Sequence, residues 1–391
     1  MRTEKLAITW QITDRHGWGI FGLNLARHLI RNGPMPPLLL TPPLLIEMAA
    51  EWQTAFAALI HEQQAIEAQL NATDQTMTSD QITVLHSLGN DFQQSPISQR
   101  VRGGANVGFV FFELGAFDSA ALERARGFDR ILAGSSWNRD YARAAGIDNI
   151  EFVSQGIDTE LFQARPRQGT FGDRFTIFSG GKLELRKGQD LIIAAFKIFH
   201  RRHPEAVLVT NWYNSWPESA SSITASAHVE APPKIDSNGE LRLTDWAVEN
   251  GVSADAFIDL GLRPHSVLPS ILREMDAAIF TNRCEGGTNL VAMEAMACGL
   301  PCIISANTGH LDIIGDGDCY PLGEQTPIRP VGDPAEMWRE SSVEEIVANL
   351  EDIYTDREEA RTRAGRAAES MKALSWDKQI PKLIAAIEDL L

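Results

Sequence analysis

Four cysteines, four tyrosines and only 35 basic residues are spread through 391 positions, with no internal repeat and no low-complexity tract. The cysteines, Cys284, Cys298, Cys302 and Cys319, all lie in apolar stretches of the second half. Their spacing fits no zinc pattern, so they read as reduced thiols in a cytosolic core. Long hydrophobic runs are missing too. Pro36, Pro37, Pro42 and Pro43 interrupt the greasiest stretch, and nothing approaches the roughly 20 apolar residues that span a bilayer. The opening residues, MRTEKLAITWQITDRHG, lack the apolar core and cleavage site of a signal peptide, so a cytoplasmic protein is expected. The 52 acidic residues leave a net charge of −17. That charge argues against nucleic acid as a partner and leaves membrane contact at most peripheral. An anionic ligand therefore needs a local basic site.

What is present is an alternation. Apolar residues make up 44% of the chain, enough for a core in each of two domains of roughly 150 to 200 residues. Short β-rich runs alternate with helix-period segments, the pattern of parallel sheets with crossover helices. Strands are predicted at 6–10, 37–40, 82–86, 107–112, 130–133 and 150–153. Helices are predicted at 22–32, stopped by Gly33-Pro34, and from Pro43 to about Leu70. The polar segment FQARPRQGTFG, 162–172, reads as a linker. A second alternation follows, with strands at 175–179, 206–210, 257–260, 276–280 and 301–305. Its helices are expected near 187–199, 265–273, 290–298 and 343–354. The expected fold is α/β, with two Rossmann-like domains, 1–165 and 170–370, facing each other across a cleft at their strand C-termini. In the segment 375–391, Ile380, Leu383, Ile384, Ile387 and Leu390 recur at helical spacing. That helix is expected to complete the first domain.

Three motifs carry chemistry. GWGIFG, 17–22, follows a strand and opens a helix. Gly17 and Gly19 would let backbone N–H groups approach a phosphate or sugar. The spacing also suits a dinucleotide site, but no acid ends the next strand to hold a ribose. A glycine turn used only for packing is the plain alternative. FSGGKLELRKGQD, 178–190, puts Lys182 and Lys187 around a glycine turn at a helix start. In an acidic protein that is a candidate pyrophosphate clamp, which Arg186 could join, or else an exposed basic turn. CEGGTNLVAMEAMACGLP, 284–301, is the most specific stretch. Glu285 ends a strand, Gly286-Gly287 turns, Asn289 begins a helix, and Glu294 stands alone on an apolar helix face. A buried carboxylate needs a partner, either ribose hydroxyls or a salt bridge. The amides of Thr288, Asn289 and Leu290 can face phosphate.

These stretches, with VSQGIDTELF (153–162), ANTGHLDII (306–314) and LSWDKQI (374–380), resemble the retaining GT-B glycosyltransferases of family four. The matches run in order over nearly the whole chain. The resemblance implies that Lys182 and Lys187 bind the donor diphosphate, with Lys182 where the family usually has Arg. It implies that Glu285 bonds donor sugar hydroxyls and Glu294 the ribose, with Gly17 and Gly19 contacting from the first domain. Gly287 belongs to the same donor turn. Glu285 and Glu294 enclose one residue more than the family's usual pair, which loosens the sugar assignment of Glu285. Many relatives carry a His after a late strand of the first domain. Here that place reads VFFEL, and Glu113 is the candidate catalytic carboxylate, with helix capping or a salt bridge to Arg124 or Arg126 as its plainer role.

The reaction so implied is transfer of a sugar from a nucleotide-diphosphate donor to a saccharide, lipid-linked or small-molecule acceptor, with retention. No metal or cofactor is expected, since two lysines and helix-start amides can stabilise the leaving diphosphate. Asp316-Gly317-Asp318 has metal-motif spacing but lies in a polar turn. A nucleotide-sugar-binding protein or epimerase on this scaffold, or a dinucleotide oxidoreductase, are the alternatives.

Overall fold

The computed structural model describes residues 3–33, 35–45, 47–329 and 336–391; Pro34, half of the expected helix stop, lies outside them. In chain order the first elements are β1 (Lys5–Ile8), α1 (Gly17–Asn32), β2 (Pro37–Leu39), α2 (Ala50–Asn71), β3 (Met77–Leu88) and α3 (Pro96–Gln99). β4 (Val101–Val110), α4 (Ser119–Arg126), β5 (Arg130–Ala133), α5 (Ser136–Ala144) and β6 (Ile150–Phe152) follow. The six strands form one sheet in the order β2-β1-β3-β4-β5-β6, parallel throughout. Helices cover both faces of such a sheet, so its central strands are apolar without alternation. Val107, Phe109 and Val110 of β4 are all buried.

The second set comprises β7 (Phe175–Gly180), α6 (Gln189–Arg202), β8 (Ala206–Asn211), α7 (Leu243–Glu249), β9 (Phe257–Asp259), α8 (Leu268–Leu272) and β10 (Ala277–Phe280). It continues with α9 (Leu290–Ala297), β11 (Cys302–Ser305), β12 (Tyr320–Leu322), β13 (Gln325–Ile328), β14 (Trp338–Ser341), α10 (Val343–Thr355) and α11 (Arg357–Met371). The main sheet runs β12-β11-β10-β7-β8-β9, again parallel. Numbered within the unit, that is the doubly wound order 3-2-1-4-5-6, whose direction reverses between β7 and β10. Ligands bind at such a switch point, outside the strand C-termini. Phe196, Trp212 and Trp246 anchor its core.

One compact unit comprises residues 1–156, 286–288 and 374–391, and the other 157–285 and 289–373. The last helix, α12 (Trp376–Ala386), thus belongs to the first unit. There Ile380, Leu383 and Ile387 are buried, and the Trp376 ring lies 5.7 Å from Phe21. The four cysteines are free and buried. No helix among the described residues is long and apolar enough to cross a membrane.

Several expected boundaries move. α1 begins at Gly17, so GWGIFG is the first turns of a helix and not a loop. His16 caps it, its Nδ1 accepting the Gly19 N–H at 3.3 Å. Gly19 has a packing reason: a Cβ there would stand 2.6 Å from the Thr13 carbonyl oxygen. α2 starts at Ala50 and not Pro43, because Leu44 is drawn into an extended bridge with Thr13, its N–H on the Ile12 carbonyl at 2.9 Å. The expected strand 107–112 starts at Val101 and ends at Val110, leaving Phe111 to Glu113 in the following loop. The expected helix 265–273 is a 3-10 turn, His265–Val267, running into α8.

Candidate active site

The first wall of the site follows β7. Gly180 and Gly181 lead into Lys182, and the 3-10 turn Leu185–Lys187 ends at Gly188, which caps α6 at φ 72°. A side chain at 188 would sit 2.1 Å from the Thr281 carbonyl oxygen. Both the backbone angle and the approach of the next wall demand glycine there. Gln189 secures the turn from below, its Nε2 donating to the Gly181 and Lys182 carbonyls at 3.3 and 2.9 Å.

The second wall runs from β10 to α9. Thr281 Oγ1 donates to the Gly188 carbonyl at 2.7 Å, and Arg283 N–H to the Arg186 carbonyl at 2.7 Å. Glu285 is then gripped through both of its backbone groups. Its N–H donates to Thr308 Oγ1 at 2.8 Å, and its carbonyl accepts from Gly309 N–H at 2.9 Å. Thr308 is a β-branched residue at φ 43°, a strained conformation of the kind that surrounding contacts must hold in place. Asn289, at φ 62°, caps α9 and donates from Nδ2 to His310 Nε2 at 3.0 Å. The carbonyl of Ser305 can only accept from His310 Nδ1, at 3.0 Å. The network therefore assigns the proton to Nδ1. Burial pushes His310 down to about 4, so the ring is neutral.

Between the walls five charges interlock. Lys187 Nζ donates to Glu285 Oε2 at 2.6 Å, Arg186 Nη1 at 3.3 Å and Asn282 Nδ2 at 2.5 Å. All three converge on Oε2, and among the described residues Oε1 takes no donor. Burial would push the Glu285 carboxyl up, but Lys187 and then Arg186 outweigh it and hold it at about 2. Arg186 also donates to Glu184 Oε1 at 2.5 Å, and Lys182 pairs with Glu184 Oε2 at 3.0 Å. Burial opposes ionisation of Glu184 as well, yet Arg186, Lys182 and Lys187 together hold its carboxyl below the ordinary range. Three cations against two carboxylates leave an excess positive charge. Lys182, its side chain 35% exposed and 5.6 Å from the Trp216 ring centroid, is the cation most open to solvent.

Glu294 occupies the third position. It is 4% exposed, and its Oε1 lies 2.6 Å from His265 Nε2. The lone carboxylate on an apolar helix thus has a protein partner 29 residues away, with Oε2 taking no donor among the described residues.

The structure brings Lys182, Lys187, Glu285, Asn289, Leu290 and Glu294 into the second unit. Gly287 and Thr288 group with the first unit, where the Thr288 N–H is directed at Gln155 Oε1, 3.3 Å away. Gly17, Gly19 and Glu113 also lie in the first unit. Glu113 N–H donates to Asn90 Oδ1 at 2.7 Å. Arg124, its suggested salt-bridge partner, pairs with Asp91 at 2.8 Å. Asp318, from the acidic turn, accepts the Gly315 N–H at 2.9 Å. Sequence reading missed Glu184, Asn282, His265 and Thr308 as site residues. Two cavities, of about 160 and 580 Å³, lie away from these residues, around His86 and beside Glu340. The open strand ends are the better guide to the site, since they carry the converging charges.

Two doubly wound domains with charged residues at the second sheet's switch point define a GT-B glycosyltransferase fold. The family of glycosyl transferases group 1 matches residues 162–371, more than half of the chain, and the chain belongs to it. Over 204 residues it is 28% identical to D-inositol 3-phosphate glycosyltransferase 1 of Catenulispora acidiphila, covering 50% of this chain and 44% of that protein. The chain spans about half the length, or less, of the curated relatives it matches. Sucrose-phosphate synthase from Thermosynechococcus elongatus is similar at TM-score 0.64 and 16% identity, over 99% of each chain. Anabaena HepE in complex with UDP-glucose is similar at 0.63 and 16%, over 99% of this chain and all of that one. At such identities the likeness shows the fold.

Proposed function

We propose that this chain transfers a sugar from a nucleoside-diphosphate donor to an acceptor hydroxyl, with retention and without a metal. The observation that carries the proposal is the excess positive charge of Lys182, Arg186 and Lys187 at a glycine turn of a chain with net charge −17. Fixed cations of this kind stabilise the charge that develops on a departing diphosphate. The complex of HepE with UDP-glucose supports a nucleotide-sugar donor. In this reading Lys182 and Lys187 hold the diphosphate, and the amides of Thr288, Asn289 and Leu290 assist. Glu294 accepts from ribose hydroxyls, exchanging or sharing its contact with His265. Glu285 accepts a donor-sugar hydroxyl through Oε1, because its other oxygen is already held. Gly17 and Gly287 allow close backbone approach, whereas Gly19 serves the packing of α1 on Thr13. The bond from the anomeric carbon to the diphosphate oxygen breaks, the acceptor oxygen bonds on the same face, and its proton passes to the departing diphosphate. Glu113, in the loop that follows β4, supplies a carboxylate that accepts a hydroxyl hydrogen bond or offsets positive charge on the sugar.

A melting-temperature screen with UDP-glucose, GDP-mannose and their relatives tests the donor, since a ligand bound only by the folded state raises the transition by mass action. One nucleotide sugar is expected to stabilise the protein and to be consumed by transfer or slow hydrolysis, in EDTA as without it. No shift with any nucleotide sugar overturns the donor. Loss of activity in EDTA, restored by Mg²⁺, overturns metal independence.

A further inference from the structure

Arg283 has no exposed surface, and each N–H of its guanidinium is engaged. Nη1 donates to the Leu185 carbonyl at 2.5 Å and to Asp190 Oδ1 at 2.8 Å. Nη2 donates to Asp190 Oδ2 and to Glu340 Oε2, both at 2.6 Å. Nε donates to Glu340 Oε2 at 2.9 Å. Those five donors are the full complement of the group. The backbone is equally committed: the N–H bonds the Arg186 carbonyl at 2.7 Å, and the carbonyl accepts from Arg339 N–H at 2.8 Å.

These bonds tie together three segments distant in sequence. They are the turn bearing Arg186 and Lys187 with the start of α6 at Asp190, the loop after β10 that leads to Glu285, and β14 through Glu340. None of the roles assigned above uses Arg283, yet it lies two residues from Glu285, and its partners Leu185 and Asp190 flank the basic turn. Ser226 Oγ donates to Asp190 Oδ2 at 2.6 Å, so the carboxylate that faces the guanidinium is itself held. A flexible turn with two adjacent cations would spread under mutual repulsion. Here its Leu185 carbonyl and its Arg186 carbonyl are both fastened to one buried residue.

We propose that Arg283 is a positioning residue for the donor diphosphate, holding the turn of Arg186 and Lys187 in register with Glu285. The proposal rests on the donor site assigned above. The fork of five N–H groups is what the place requires. A lysine brings the same charge but three donors on one nitrogen, which cannot reach the Leu185 carbonyl, both oxygens of Asp190 and Glu340 together.

The test compares affinity for UDP-glucose and GDP-mannose with affinity for uridine and guanosine, in wild type, Arg283→Lys and Glu340→Gln. Glu340 has a side chain 30% exposed and its loss leaves Asp190 on Arg283, so Glu340→Gln remains readable where Arg283→Lys does not fold. The diphosphate-sugar to nucleoside affinity ratio is expected to fall about tenfold or more in Arg283→Lys and about threefold in Glu340→Gln, with nucleoside affinity kept. An unchanged ratio in both variants overturns the proposal. So does a parallel loss of both ligands that follows the melting temperature, which is what a purely structural residue would give. A wild type that does not prefer the diphosphate sugar to the nucleoside overturns the donor site itself, a separate and recognisable failure.

Discussion

Glu113 is the residue whose role turns most sharply on experiment. Its N–H donates to Asn90 Oδ1, and Arg124 pairs with Asp91. A carboxylate just beyond a parallel strand's C-terminal end is well placed to meet a ligand. Glu113→Gln keeps the shape and removes the charge. Turnover is expected to fall at least about tenfold, or about 1.4 kcal/mol in barrier, with donor affinity little changed. Wild-type turnover in that variant would make Glu113 structural. Legibility at this scale was uneven. The single carboxylate of Glu294 on an apolar helix signalled a partner, but its identity as His265 did not, because 29 intervening residues carry no pattern that pairs them. Lys182 and Lys187 were visible as a basic pair around a glycine turn. That Glu184 and Glu285 already neutralise much of their charge was not.

Among the elements, the turn before α6 is the most constrained. Gly188 combines φ 72° with the Thr281 carbonyl where a Cβ would go, and it accepts from Thr281 Oγ1 as well. Gly188→Ala therefore adds backbone strain of about 1–2 kcal/mol to a clash that the second wall can relieve only by moving. A fall in melting temperature is expected, together with weaker nucleotide-sugar binding, measured by calorimetry. An alanine variant as stable as wild type would show that the two walls yield independently. The main parallel strands were legible, because burial on both faces makes them continuous apolar runs. α11 was not. It buries Ala360, Ala364, Ala367 and Met371, a helical spacing whose small side chains leave little apolar signal amid charge. α1 extends beyond its apolar periodicity because its first turns are glycine-rich, and the cap that starts it is a histidine.

At the scale of the whole molecule, acid sensitivity follows from two buried histidines. His86, in the first unit, accepts at Nδ1 from Gln94 at 2.8 Å, and burial pushes it to about 4. His310, in the second, stands at about 4 for the same reason. The unfolded chain binds a proton at each near the ordinary value of 6.5, whereas the folded chain resists until about 4. Stability is therefore lost as pH falls through that window, by up to about 1.4 kcal/mol per pH unit for each histidine. Melting temperatures between pH 7 and 4.5 are expected to fall, and less steeply in His86→Gln or His310→Gln. Equal slopes in wild type and both variants would place the sensitivity elsewhere.

The α/β class, the two-domain order and the basic turn and glutamate block are local facts. Hydrophobic periodicity, glycine placement and charge within a few residues carry them, so the sequence alone sufficed. Tertiary structure decided that Arg186, Lys187 and Asn282 converge on one oxygen of Glu285, that Thr308 grips its backbone and that Arg283 binds three segments. Each of those depends on side chains from separate strand ends meeting at a switch point, and no spacing along the chain encodes which oxygen faces which donor.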